Sequence, residues 1–255
     1  MNQALIIAET INNNIRHIQF NRPKYKNALT EQMYRDLTQF LLEAEEDNLI
    51  HVIMLTGDEN DFCAGNDIND FINNPPTSTQ ADVFIFLLTL NRLTKPLIAG
   101  VSGSAIGIGT TMLLHCDYIV ASEGALFKMP FVSLGCTPEG GSSLILPMLI
   151  GQKKSAQLLM LGEGFNESQA NEFGIINQIC NLGQCLQNTL DVAIKMANQP
   201  PAAIQASKHI MKANIVNQIE QTILGEGELF IQRLQSPEAK EALTAFVEKR
   251  QPNFN

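Results

Sequence analysis

The chain has 255 residues, 45% of them hydrophobic and 17% charged, long enough to bury a substantial core as one large domain or as one domain with a small appendage. With 17 basic against 26 acidic residues its net charge is −9, which argues against nucleic acid or an anionic membrane as the main partner and leaves only local basic patches to hold a small anion. Five cysteines without a C-x-x-C pair fit free thiols in a reducing compartment, and four scattered histidines show no H-E-x-x-H or other metal-ligand spacing.

In chain order, MNQALIIAET lacks the basic start and long apolar stretch of a secretory signal. No apolar run reaches the roughly 18 residues of a membrane helix. The end, Pro252-Asn253-Phe254-Asn255, is not the S-K-L address, so a cytoplasmic location is expected. Residues 5–8 and 15–20 read as two strands joined across Asn12-Asn13-Asn14, a turn-prone run. Arg22, Lys24 and Lys26 then stand out as a basic loop in an acidic chain. Thr30 caps a helix whose apolar residues Met33, Leu37, Phe40, Leu41 and Ala44 recur at helical spacing.

HVIMLT at 51–56 is the next strand, followed by an acidic loop and FCAGNDI at 62–68, where small residues expose the backbone at a strand's end. Cys63 has no basic partner nearby to lower its pKa and reads as a packing residue rather than a nucleophile. Residues 73–79, NNPPTST, form a polar loop before an apolar helix at 81–93. Residues 97–101 make a strand covered on both faces, and 118–121 another, so the βαβ rhythm from 51 to 121 predicts a mostly parallel sheet. His115 is expected to pack at a helix end.

Between those strands, Gly103, Gly107 and Gly109 allow a sharp turn, and a helix is expected to begin near Gly109. A helix start presents unpartnered N–H groups to a negative oxygen. The order G-x-x-x-G-x-G is not the dinucleotide fingerprint G-x-G-x-x-G, and no P-loop occurs. The turn is therefore either a tight connection without chemistry or a site for an oxygen that gains charge during a reaction. A second informative stretch, residues 124–141, sets one carboxylate, Glu139, among Phe127, Met129, Phe131 and Leu134. It is either first-turn charge ahead of a helix or a general base whose pKa is raised by desolvation.

Together these stretches resemble the crotonase family, also called the enoyl-CoA hydratase/isomerase superfamily. The matching pieces are Arg22-Pro23 with Asn27-Ala28-Leu29, FCAGNDI at 62–68, KPLIAGVSGSAIGIG at 95–109, CDYIVAS at 116–122 and LGCTPEGGSSLILP at 134–147. The resemblance implies an α/β fold, a spiral of ββα units over residues 1–195 with a C-terminal helical, oligomer-forming region at 196–255, assembled as trimers or pairs of trimers. It implies an acyl-CoA substrate whose thioester oxygen is held by the backbone N–H groups of Ala64 and Ile108, an oxyanion hole, with Gly65, Asn66, Asp67, Ile68, Gly107, Phe131 and Leu134 around it. Arg22, Lys24 and Lys26 are implied contacts to the phosphates or adenine of CoA, and no cofactor or metal is implied.

The two glutamates that hydratases of this family use fall at Thr111 and Phe131, which argues against hydration. Glu139, in T-P-E-G-G, is similar to the single carboxylate of the peroxisomal-type 3-enoyl-CoA to 2-enoyl-CoA isomerases, and A-G-N-D-I resembles their S-G-N-D-L. The implied activity is a double-bond shift during fatty acid β-oxidation. Another crotonase reaction (hydration, thioester hydrolysis or decarboxylation) and an inert acyl-CoA-binding homologue remain alternatives. Beyond 150, helices are expected at 151–161, 166–173 and 186–197, from Pro201, along Ile219 to Leu234 and after Ser236, and in the family such helices cover the active site.

Overall fold

The structure, a computed structural model, describes residues 4–254. The hairpin of β1 (Ile6–Ile11) and β2 (Ile15–Phe20) closes through Asn12 and Asn13 at φ 48° and 64°, the left-handed conformation that Asn tolerates better than most residues. β1 runs on past Ala8 because Ile11 still pairs with Ile15. Onto β2 are added, all in parallel, β3 (Val52–Thr56), β4 (Leu97–Val101), β6 (Tyr118–Ser122) and β9 (Gln178–Cys180), giving the order β1-β2-β3-β4-β6-β9.

The period of two along the central strands divides the core. Ile53, Leu55, Leu97, Ala99 and Val101 face a large cluster containing Met33, Leu37 and Leu41 of α1 (Glu31–Glu46) and Phe84, Leu87 and Leu90 of α3 (Asp82–Arg92). Val52, Met54 and Ile98 point the other way, against Val192, Ala193 and Ala197 of α8 (Cys185–Ala197). Both faces are covered, which is why these strands read as unbroken apolar runs. The Thr30 hydroxyl accepts the Met33 N–H and starts α1 as expected.

A second sheet of short strands, β5 (Ser104–Ile106), β7 (Leu126–Lys128) and β8 (Phe165–Asn166), was not foreseen; its strands of two or three residues carry too little pattern to read. Nor was α2 (Ile68–Asn73), which the Asp67 side chain caps. The helix expected from Gly109 opens one residue earlier and is brief: α4 (Ile108–Thr111) passes into a 3-10 turn, Met112–His115, before the chain enters β6.

The remaining helices are α5 (Ser142–Ile150), α6 (Gln152–Met160), α7 (Glu167–Glu172), α9 (Pro201–Lys212), α10 (Val216–Leu234) and α11 (Pro237–Val247). α10 lies against α3, where the Asn91 side-chain amide donates to Val216 O at 3.0 Å, and Ile219, Ile223, Phe230 and Ala239 join the large core. Among the described residues no helix is long and apolar enough to cross a membrane.

Candidate active site

The turn at 62–68 is stitched to its neighbours from two sides. Cys63 N–H donates to Ser104 O and Ile106 N–H to Cys63 O, both 2.9 Å, tying it to β5; Leu29 N–H donates to Gly65 O and Asp67 N–H to Leu29 O, both 2.8 Å, tying it to residue 29. Gly65, at φ 93°, permits this: a Cβ there would stand 2.9 Å from Ile106 O.

The pairing decides which amides stay free. Ala64 N–H is spent on Lys26 O at 2.9 Å, so the expected role of Ala64 as an oxygen-binding donor is corrected. Two residues on, Asn66 N–H faces away from Leu29 and donates to no group among the described residues. Ile108, first residue of α4, likewise keeps an unpartnered N–H. Asn66 and Ile108 are therefore two residues whose N–H groups have no partner among the described residues, as is true of Ile68 at the start of α2.

Asn66 and Ile108 both line one apolar cavity of about 130 Å³. Its walls include the expected Ala64, Gly65, Asn66, Ile68, Gly107, Ile108, Phe131 and Leu134, and also Phe230 of α10 with Leu243 and Phe246 of α11. The last three were not assigned from sequence, because nothing in an amphipathic helix says which cavity it closes. A second cavity of about 420 Å³ meets the first at Asn66 and Phe71, and is lined by Tyr34, Glu31, Asp70, Asp82 and the loop at 74–81. Tyr34 O–H donates to Asn66 Oδ1 at 2.5 Å at this junction.

Glu139 is buried, with 4% of its surface exposed. Its Oε1 accepts the Thr111 hydroxyl, whereas its Oε2 has no partner among the described residues. Burial drives its pKa from 4.5 up to about 8, against the opposing Thr111 bond and with the nearby Glu226 carboxyl adding to the rise. Glu139 is not itself in the wall of the small cavity. It lies beside Thr111, three residues after Ile108, which is a rise of about 4.5 Å along a helix. Its charge also helps to hold Tyr34 far above its ordinary pKa, after burial and Cys63, so it is within electrostatic reach of the larger cavity too. A carboxyl that takes up and releases protons near neutrality is thus held by Thr111, three residues along α4 from the Ile108 amide.

Several expected contacts are structural instead. Arg22 donates to Asp67 Oδ2 at 2.7 Å and to Ala28 O at 2.9 Å, and its guanidinium lies 3.9 Å from the Tyr25 ring centre, so it is engaged inside the protein rather than offered to a ligand. Asp67, 8% exposed, is committed to Arg22 and to the Asp70 N–H at the start of α2, and neither residue lines the cavity. Lys24 and Lys26 are exposed outside it. The Cys63 thiol is pushed up to about 12 by burial, which suits packing. His115 is buried at the helix end, its Nε2 2.8 Å from Gly140 O, and burial, then Lys212, lowers its pKa to about 4. Among the described residues no group of three His, Cys, Asp or Glu gathers as a metal site.

Residues 10–255 match the family described as "Enoyl-CoA hydratase/isomerase". The chain belongs to that family. It is 32% identical over 235 residues to the 2,3-dehydroadipyl-CoA hydratase of Escherichia coli K12, covering 92% of each chain. It is 31% identical over 244 residues to the 1,2-epoxyphenylacetyl-CoA isomerase of the same organism, again covering 92% of each. Among solved structures, that of Pseudomonas aeruginosa OdaA superposes with a TM-score of 0.93 at 42% identity, over 96% of this chain and 99% of the other. This member of the hydratase/isomerase family accordingly has the crotonase fold, with a mostly parallel main sheet and helices on both faces.

Proposed function

We propose that this protein is an enoyl-CoA isomerase that moves a double bond from the 3 to the 2 position of an acyl-CoA, using one carboxylate. The observation that carries the reading is Glu139: buried, with one oxygen held by Thr111 of α4 and the other without a partner among the described residues, while Ile108 opens that same helix at the wall of the apolar cavity. In this reading the thioester oxygen accepts both N–H groups. The Glu139 carboxylate takes a proton from C2, and the electron pair left behind spreads over C2–C4 and the oxygen as a dienolate. The protonated acid then returns the proton to C4, leaving the double bond between C2 and C3.

Thr111 holds Oε1 and leaves Oε2 without a protein partner, and the apolar walls Phe131, Ile108 and Leu134 keep water from the intermediate. The chemistry needs no cofactor or metal, since CoA is part of the substrate. Lys26, exposed beside the 62–68 turn, and Lys24, two residues earlier and also exposed, are assigned to the CoA phosphates.

Relatives named hydratase are among the matches. Hydration needs an activated water, and Thr111 and Phe131, at the positions where the resemblance places the hydratase glutamates, supply no carboxylate. Incubation with 3-hexenoyl-CoA separates the possibilities. Growth of conjugated 2-enoyl thioester absorbance supports isomerisation. Accumulation of a 3-hydroxyacyl product, release of CoA, or binding without turnover each refutes it.

A further inference from the structure

The segment that carries Glu139 is held locally on one side only, where Glu139 O accepts the Ser142 hydroxyl at 2.7 Å and the Ser142 N–H at 3.3 Å. The next two residues, Gly140 and Gly141, are both left-handed at φ 73° and 76°, and α5 opens at Gly141 with no side-chain cap from its own sequence. The peptide between the two glycines is bonded from outside the segment. Its carbonyl oxygen, Gly140 O, lies 2.8 Å from His115 Nε2; its N–H, on Gly141, donates to Glu226 Oε2 at 2.6 Å. Glu226 Oε1 also accepts Ser143 N–H at 2.9 Å. A carbonyl oxygen can only accept, so His115 carries its proton on Nε2. One peptide plane is therefore held at both ends, by a histidine after α4 and by a carboxylate from α10, 85 residues along the chain from Gly141.

We propose that Glu226 is a positioning residue for Glu139: together with His115 it clamps the peptide that follows the base and so fixes where the base's free oxygen points. The inference rests on the reading of Glu139 as the base. Glu226 acts through a second route as well, because its charge disfavours a second carboxylate at Glu139. The groups facing the pair are few: Thr111 from α4 and Tyr34 from α1 on Glu139, with His115 behind Gly140 and the Lys208 and Lys212 charges of α9 behind His115. A helix cap alone would hold α5 and nothing more; a positioning residue also sets the titration and the turnover of Glu139.

The test uses the full chain labelled with 13C at the glutamate carboxyls, with the Glu139 resonance assigned by its loss in Glu139→Gln. In Glu226→Gln the Glu139 midpoint is expected to move to lower pH. The kcat for 3-hexenoyl-CoA is expected to fall roughly ten- to hundredfold with KM within about twofold, as for a misplaced catalytic group. Glu226→Asp keeps the charge but is too short to reach both amides; it should retain the midpoint and still lose kcat. A Glu226→Gln protein with unchanged midpoint and kcat and only a lower melting temperature overturns the proposal, and so, if that variant does not fold, does a Glu226→Asp protein with full kcat. If Glu139→Gln turns over like the wild type, the isomerase reading fails separately, while the midpoint comparison still decides whether Glu226 acts on Glu139.

Discussion

Replacing Glu139 by Gln should abolish turnover and at the same time stabilise the protein, in a way that depends on pH. The folded chain holds this carboxyl at about 8 against an ordinary 4.5, so between those values the folded state keeps a proton that the unfolded chain releases. Stability contributed by this group is therefore lost as pH rises from about 4.5 to about 8 and is level above that. At 1.36 kcal/mol per pH unit, the loss is about 3 kcal/mol at pH 7 and approaches roughly 5 kcal/mol above pH 8. Glutamine is neutral throughout and escapes it. Its carbonyl still accepts from Thr111, and its NH2 replaces an O–H that is equally unpartnered in the protonated acid, so the remaining terms nearly cancel. Urea unfolding at about pH 5 should find the two proteins within about 1 kcal/mol of each other. At about pH 7.5 the variant should be the more stable by about 3 kcal/mol or more. A variant whose advantage is absent at both pH values, or equal at both, would refute the idea that burial of a charge-poor carboxyl governs this site.

Four further outcomes follow from the same geometry. Because the base must be ionised, kcat/KM for 3-hexenoyl-CoA should climb about tenfold per pH unit below the Glu139 value and flatten above about pH 8; a profile flat from pH 6 to 9 would count against Glu139. Ile108→Pro deletes the N–H proposed to bind the thioester oxygen, at a first-turn position where proline is tolerated, and should cut kcat about 10²–10³-fold while the circular dichroism spectrum stays native. Arg22→Ala strands Asp67 and should lower unfolding free energy by about 3 kcal/mol in urea titration, with little effect on KM once folded. Lys24→Ala with Lys26→Ala should raise KM for the CoA thioester but not for the same acyl group on N-acetylcysteamine, which lacks the phosphates; equal effects on both would remove these lysines from the phosphate assignment.

The main sheet was legible because its strands are buried on both sides and so advertise themselves as short apolar runs bounded by Pro, Gly and Asp. The site was legible in part. FCAGNDI and GIG supply walls of the apolar cavity, yet they do not say which amide is left unpaired there. Ala64 and Asn66 lie two apart, and the choice between them was made by Lys26 O, which takes the Ala64 N–H, and by the bridge to Leu29. Those are tertiary facts, invisible in a local motif. Arg22 misled for a similar reason: a cation in an acidic chain suggests a phosphate, whereas its partner, Asp67, lies 45 positions away in sequence and adjacent in space. Gly225 and Gly227 are poor helix formers, yet α10 runs through both; at Gly227 a Cβ would come 2.8 Å from the Phe84 ring, so close packing on α3 replaces what propensity withholds. Glu226 between them gave no signal, since its partners Gly141 and Ser143 belong to another part of the chain.

The decisive comparison is the rate of conjugated 2-enoyl-CoA formation from 3-hexenoyl-CoA by the wild-type chain and by Glu139→Gln, each at the pH of maximal wild-type activity, with CoA affinity measured alongside. A wild-type rate that vanishes in the variant while CoA still binds is the predicted result. Equal rates in the two proteins would contradict a mechanism built on a single carboxylate.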